Sequence, residues 1–195
     1  MSPGRLNALT DGVVAIVMTI MVLEVKIPAE PTPQAVLAVL PLLAAYLLAF
    51  VNVAIYWNNH HHMMQSARRV TGGVLWANHA LLFWLTLFPL MIRWIDEAGI
   101  TALPAASFGL VLVGAAISYQ LLERALIAAE GDGSAVKRAV GAGAKELISF
   151  GLYVASVPLA FVSPWISIAI FIGVSIVWLI PDRRFERELF ERSEK

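Results

Sequence analysis

Six side chains in this 195-residue sequence have the chemistry to bind, relay or lock inside an otherwise apolar chain: Arg5, Asp11, Trp57, His60, Asn78 and His79. Ionisable groups within membrane-spanning segments usually face the bundle interior and pair with one another. Arg5 and Asp11 are six positions apart, so on one helix they diverge by about 120° and cannot pair well with each other. Their partners must come from other helices. Three readings of such a cluster remain open: a lock between helices, a proton relay or gate built on histidines that titrate near neutral pH, and direct ion coordination. The run His60-His61-His62 suggests a metal site. Consecutive helical residues point about 100° apart, however, whereas helical chelation uses i and i+4. No structural metal and no cofactor is expected.

The elements that hold these residues follow from hydropathy. The chain is 59% hydrophobic and only 14% charged, with a mean hydropathy of +0.75. Ordinary soluble domains carry about 25% charged residues, so this is an all-α membrane protein. A span needs roughly 20 mostly apolar residues. Six candidates run from about Arg5 to Ile27, Ala35 to Trp57 (continuing into the histidines), Val70 to Trp94, Leu103 to Ala129, Glu146 to Phe161 and Pro164 to Ile180. The last two are short. The connectors "IPAEPTPQ", "DEAGITALP" and "EGDGSAVKRAVGAG" separate them. Residues 1–181 form one six-helix domain, and 182–195 a charged tail that can place Phe185 and Leu189 on one helical face. The first run lacks a strongly basic leader and a cleavage site, so it reads as a retained helix.

Net charge is zero and cysteine is absent. The first removes the usual ground for a nucleic-acid partner, and the second removes thiolate chemistry. With the N-terminus inside, twelve of the fourteen basic residues fall on the cytoplasmic side: Arg5, Arg68, Arg69, Arg124, Lys137, Arg138, Lys145, Arg183, Arg184, Arg187, Arg192 and Lys195. Only Lys26 and Arg93 fall outside. Both termini are then cytoplasmic.

On the first helix, Ile16, Ile20 and Leu23 share one face, extended by Leu9 and Ile27, with Thr19 at its edge and Asp11 pointing away. By periodicity alone this stripe packs against a helix, faces lipid, or lines a pore that dewets at an apolar constriction.

The stretch "RLNALTDG" resembles the Arg-x-x-x-Phe-Ser-Asp-Gly motif that opens the first helix of the transmembrane protein 175 family of potassium channels. Arg5, Asp11 and Gly12 match, with Leu9 for phenylalanine and Thr10 for serine. Trp57-Asn58-Asn59-His60 resembles the family's Trp-x-x-His, and Leu75-Trp76-Ala77-Asn78 its Leu-Trp-x-Asn. The resemblance covers helices one to three. It implies a homotetrameric, potassium-preferring cation channel in a prokaryotic plasma membrane, with six helices per subunit and helix one lining a central pore. It implies that Ile16, Ile20 and Leu23 form the constriction or hydrophobic gate through which K+ passes transiently, with Thr19 at a hydroxyl position tied to potassium preference. It also implies that Arg5, Asp11, Trp57, His60, Trp76 and Asn78 anchor helix one to its neighbours. Glu24 sits where it could concentrate cations at the outer mouth. The alternative is a proton-coupled secondary transporter using Asp11 and the intramembrane histidines His60, His61, His62 and His79. Transporters usually carry internal repeats, and no second Arg-x-x-x-x-x-Asp-Gly pattern occurs. A structural membrane protein is a third reading. An enzyme is not expected, because no motif supplies a nucleophile with its base.

Overall fold

The computed structural model describes residues 3–26, 28–131 and 143–179. The positions named above as Ile27, Lys137, Arg138, Ile180, Arg183, Arg184, Phe185, Arg187, Leu189, Arg192 and Lys195, and the whole 182–195 tail, lie outside them. Every regular element among the described residues is helical: α1 (Pro3–Leu23), α2 (Pro33–Ser66), α3 (Gly72–Leu85), α4 (Phe88–Ala98), α5 (Ala102–Glu130), α6 (Ala144–Leu159) and α7 (Pro164–Leu179). Four stretches are long and apolar enough to cross a bilayer, with α3 and α4 together forming one of them. The remaining two, α6 and α7, have 16 residues each, roughly 24 Å of helix against a hydrocarbon core of about 30 Å.

Local chemistry sets the ends. Thr32 accepts the backbone N–H of Ala35 at 3.2 Å, and Pro33 takes the first helical position, where its missing N–H is not needed. From there α2 runs 34 residues, through all three histidines. The third predicted span, by contrast, is broken. Proline at position 89 has no N–H to continue the α-helical ladder, and the chain tightens instead: Leu87 N–H donates to Trp84 O at 3.2 Å, and the Thr86 hydroxyl donates to Phe83 O at 2.7 Å. Gly99, at φ 71°, then ends α4 with its N–H on Ile95 O.

The main core is an apolar cluster through the bundle, with a small satellite of Ala105, Ala106 and Ala160. Phe88, Phe108 and Phe171 join α4, α5 and α7, with ring centroids 5.5 and 5.3 Å apart. Small residues let α5 approach its neighbours closely, as membrane helices require. Gly114 lies against the ring of Trp84, where an added Cβ would have no room, and a Cβ on Gly109 would meet Ser156 Oγ at 2.9 Å. Polar ties hold the two ends of the bundle. At one end Lys26 Nζ lies 2.9 Å from Asp96 Oδ2, and this carboxylate raises the Lys26 pKa above its ordinary value. At the other, Arg68 N–H donates to Glu130 Oε1 at 2.7 Å.

Gly114→Ala should therefore lower the thermal midpoint of the protein in detergent, by overpacking worth about 1–3 kcal/mol. Adding Trp84→Leu should recover part of the loss; no loss in the single variant would show that α3 and α5 do not pack this closely.

Candidate functional site

Two faces of α1 are distinguished by burial. Leu6, Thr10, Val14, Val17 and Met21 turn into the bundle. Leu9, Ile16, Ile20 and Leu23 turn out, with Ile16 58% and Leu23 78% exposed in the single chain. At ~100° per residue the two stripes are centred about 110° apart. Thr19 is also exposed. Its hydroxyl donates to its own helix, 2.9 Å from Ile16 O and 3.0 Å from Ala15 O, so its oxygen lone pairs remain open.

The inward face is held by a buried amide. Asn78 of α3, with no solvent exposure, donates from Nδ2 to Thr10 Oγ1 of α1 at 3.1 Å. Its Oδ1 accepts from His60 Nε2 of α2 at 2.8 Å. An amide oxygen only accepts, so the proton sits on Nε2 of His60. One side chain thereby links three helices. A second link lies at the surface of the chain, where Trp57 Nε1 donates to Asp11 Oδ1 at 2.8 Å. Trp57 stacks on His61 at 5.5 Å, and the Gln65 amide donates to His61 Nε2 at 2.7 Å. His62 stands edge-on to His61 at 5.9 Å. His79 turns back on its own helix, donating from Nδ1 to Leu75 O at 2.6 Å. Among the described residues, no three His, Asp or Glu side chains converge in a way that could hold a metal ion.

The structure thus gathers Asp11, Trp57, His60 and Asn78, and adds Thr10. It leaves two of the expected anchors outside. Trp76 is 79% exposed, touching the ring of His79 at 6.0 Å. Arg5 is exposed and meets no hydrogen-bond or ion-pair partner among the described residues. Its position lies within about 40° of Leu9, on the outward stripe rather than the inward one.

A second buried polar cluster escaped the sequence reading. Asn52 of α2 donates to Ser175 Oγ of α7 at 3.0 Å, and Tyr153 OH of α6 donates to Asn52 Oδ1 at 3.4 Å. An amide in the middle of "LLAFVNVAIYW" was the available signal. It closes α2 onto the short helices much as Asn78 closes α1 onto α2 and α3.

Comparison with known proteins comes from three sides. Residues 5–89 match the family described as "Endosomal/lysosomal potassium channel TMEM175". A protein of Chryseobacterium sp. named as a potassium channel is 44% identical over 191 residues, covering 98% of this chain and 100% of the relative. A protein of Chamaesiphon minutus, also named as a potassium channel, is 29% identical over 193 residues, covering 91% of this chain and 93% of the relative. A crystal structure of a lysosomal potassium-selective channel TMEM175 homolog from Chamaesiphon minutus superposes with a TM-score of 0.77 at 24% identity, over 91% of this chain and 96% of that one. That likeness is one of fold.

Asn78→Leu keeps the branched shape and the number of side-chain heavy atoms, with bulkier ends, but strands His60 Nε2–H and Thr10 Oγ1. It should cost about 1–2 kcal/mol, the range for interhelical hydrogen bonds in membranes and for stranded buried polar groups. Thermal unfolding in detergent reads the loss. Stability at the wild-type level would mean the amide is not the link between α1, α2 and α3.

Proposed function

This chain belongs to the TMEM175 family, and from that membership we propose that it is a potassium-preferring cation channel. It works as a homotetramer, with four copies of α1 around a central axis. In that assembly a fourfold axis turns the outward stripe of α1 into stacked rings of Ile16, Ile20 and Leu23. Thr19 stands at their edge with free lone pairs. Narrow apolar rings disfavour both water and ions, so the closed pore needs no charged gate. The Thr10–Asn78–His60 and Asp11–Trp57 links set the rotation of α1, and so set how wide the rings stand. Arg5, on the outward stripe and without a partner among the described residues, finds its place in the anchoring set across a subunit boundary. The membrane is the cell membrane, with both termini cytoplasmic, as the distribution of basic residues favours.

The observation that carries this reading is the exposure of an unbroken aliphatic stripe on the very helix whose other face is pinned by polar links. A helix packed only for stability would not need its rotation fixed so firmly while leaving its most hydrophobic face uncovered. The names of the relatives support the choice of potassium.

In liposomes, the purified protein should pass current whose reversal potential follows the potassium gradient. Flux that instead requires a proton gradient would replace the channel with the transporter reading. Size measurement in mild detergent should give four chains; a monomer would remove the rings. Ile16→Asn should wet the constriction and raise conductance severalfold, and unchanged conductance would place the constriction elsewhere.

A further inference from the structure

We propose that a cavity walled by α2, α5, α6 and α7 is a binding site for a small organic ammonium ion. No residue of α1 lines it, so this site stands apart from the pore reading and does not depend on it. The cavity holds about 50 Å³. One water needs roughly 10–15 Å³ measured this way, so the space takes several waters or one compact head group.

The walls select the charge. Tyr56, Phe150, Tyr119, Tyr153 and Trp178 surround the space, and the Tyr56 and Tyr119 rings form adjacent walls, 6.1 Å apart and inclined by 59°. Aromatic faces attract cations. Glu146, in the first turn of α6, adds a carboxylate to the same wall. It has no hydrogen bond or ion pair among the described residues. Trp178 already shows the behaviour: Lys145 Nζ, outside the cavity wall, lies 4.4 Å from its ring centroid.

The walls also select the kind of cation. The Trp178 N–H is spent on Ser149 Oγ at 2.9 Å, and the hydroxyls of Tyr153 and Tyr56 on Asn52 Oδ1 and Leu112 O, each at 3.4 Å. These donors are therefore satisfied within the protein, and the wall combines five aromatic rings with the Glu146 carboxylate, the Ser149 hydroxyl and the side-chain amides of Asn52, Asn59 and Gln120. An ammonium ion clothed in methyl groups carries its charge over an apolar shell and suits rings of this kind.

The test uses the full chain in maltoside micelles, with tetramethylammonium and choline as probes. The neutral carbon isostere of choline, 3,3-dimethylbutan-1-ol, and potassium serve as controls. Both ammonium probes should raise the thermal midpoint saturably, while the alcohol and potassium should not reproduce the shift. Saturation transfer from protein aromatic protons to the choline methyl groups should be visible by NMR. Glu146→Gln should weaken binding by about tenfold or more, and Tyr119→Leu should weaken it as well, with the oligomer unchanged in size. An equal response to the alcohol would make the cavity merely apolar. Absent saturation transfer, or unchanged affinity in a folded Glu146→Gln variant, would overturn the proposal outright.

Discussion

The orientation of α1 in this fold depends first on one side-chain amide. In lipid, apolar helices gain little by turning one apolar face rather than another toward a neighbour, because acyl chains are as apolar as leucine. Rotation has to be fixed by groups that hydrocarbon cannot satisfy. Asn78 does this by donating to Thr10 on α1 and accepting from His60 on α2. Asp11 and Trp57 add a second point of attachment on a neighbouring flank of α1. With both made, α1 has one rotation. Val14, Val17 and Met21 must then face inward, and Ile16, Ile20 and Leu23 must face out.

That consequence reverses the usual relation between charge and function. Two polar residues of α1 are already engaged within the bundle: Thr10 is buried against Asn78, and Asp11 accepts an indole N–H. The exposed stripe of Leu9, Ile16, Ile20 and Leu23, by contrast, is aliphatic. Under the proposed assembly, the polar groups do mechanical work and the apolar groups meet the permeant ion. The C-terminal end of α1 is fixed more loosely. There, Lys26 pairs with Asp96 through an ammonium group that is largely solvated, and solvated pairs contribute little. The tight attachments therefore sit at the Thr10–Asp11 end of α1.

The spans were legible in the sequence because a bilayer leaves the backbone no alternative to helix. Apolar runs between proline- and glycine-bearing breaks located the four stretches long enough to cross a bilayer and the two shorter helices α6 and α7. The interruption at Thr86–Leu87 was not legible from hydropathy, since Leu85, Leu87 and Phe88 keep the run apolar. Only the proline at position 89 signals it. The anchoring cluster was partly legible. Asp11, Trp57, His60 and Asn78 announce themselves as polar or amphipathic residues at similar depth in three spans. Thr10 did not, because a threonine in a helix usually bonds to its own backbone, as Thr19 does here. Arg5 is grouped with Asp11 by its place near the same end of the helix and by the motif resemblance, whereas helical phase puts it on the outward stripe with Leu9. Asn52 was overlooked for the opposite reason: it is uncharged and alone in its run, and its partners Ser175 and Tyr153 are more than a hundred positions away.

The apolar stripe also bounds what selectivity the proposed channel can have. A filter of backbone carbonyls replaces the hydration shell of an ion and can discriminate by how well it does so. Isoleucine and leucine rings replace nothing, so they discriminate only by what it costs the ion to shed or narrow its shell. Potassium, the larger and more weakly hydrated ion, gives up water more readily than sodium, and the preference follows in sign. Its size stays modest because every ion pays some of that cost. The Thr19 hydroxyl, with its proton committed to the carbonyls of Ile16 and Ala15, can present only lone pairs to the axis. It can act there as a partial substitute for water. A hydroxyl at the edge of an aliphatic ring is thus the one place on this face of α1 where dehydration can be partly compensated, and where ion preference can be tuned without opening the constriction to water.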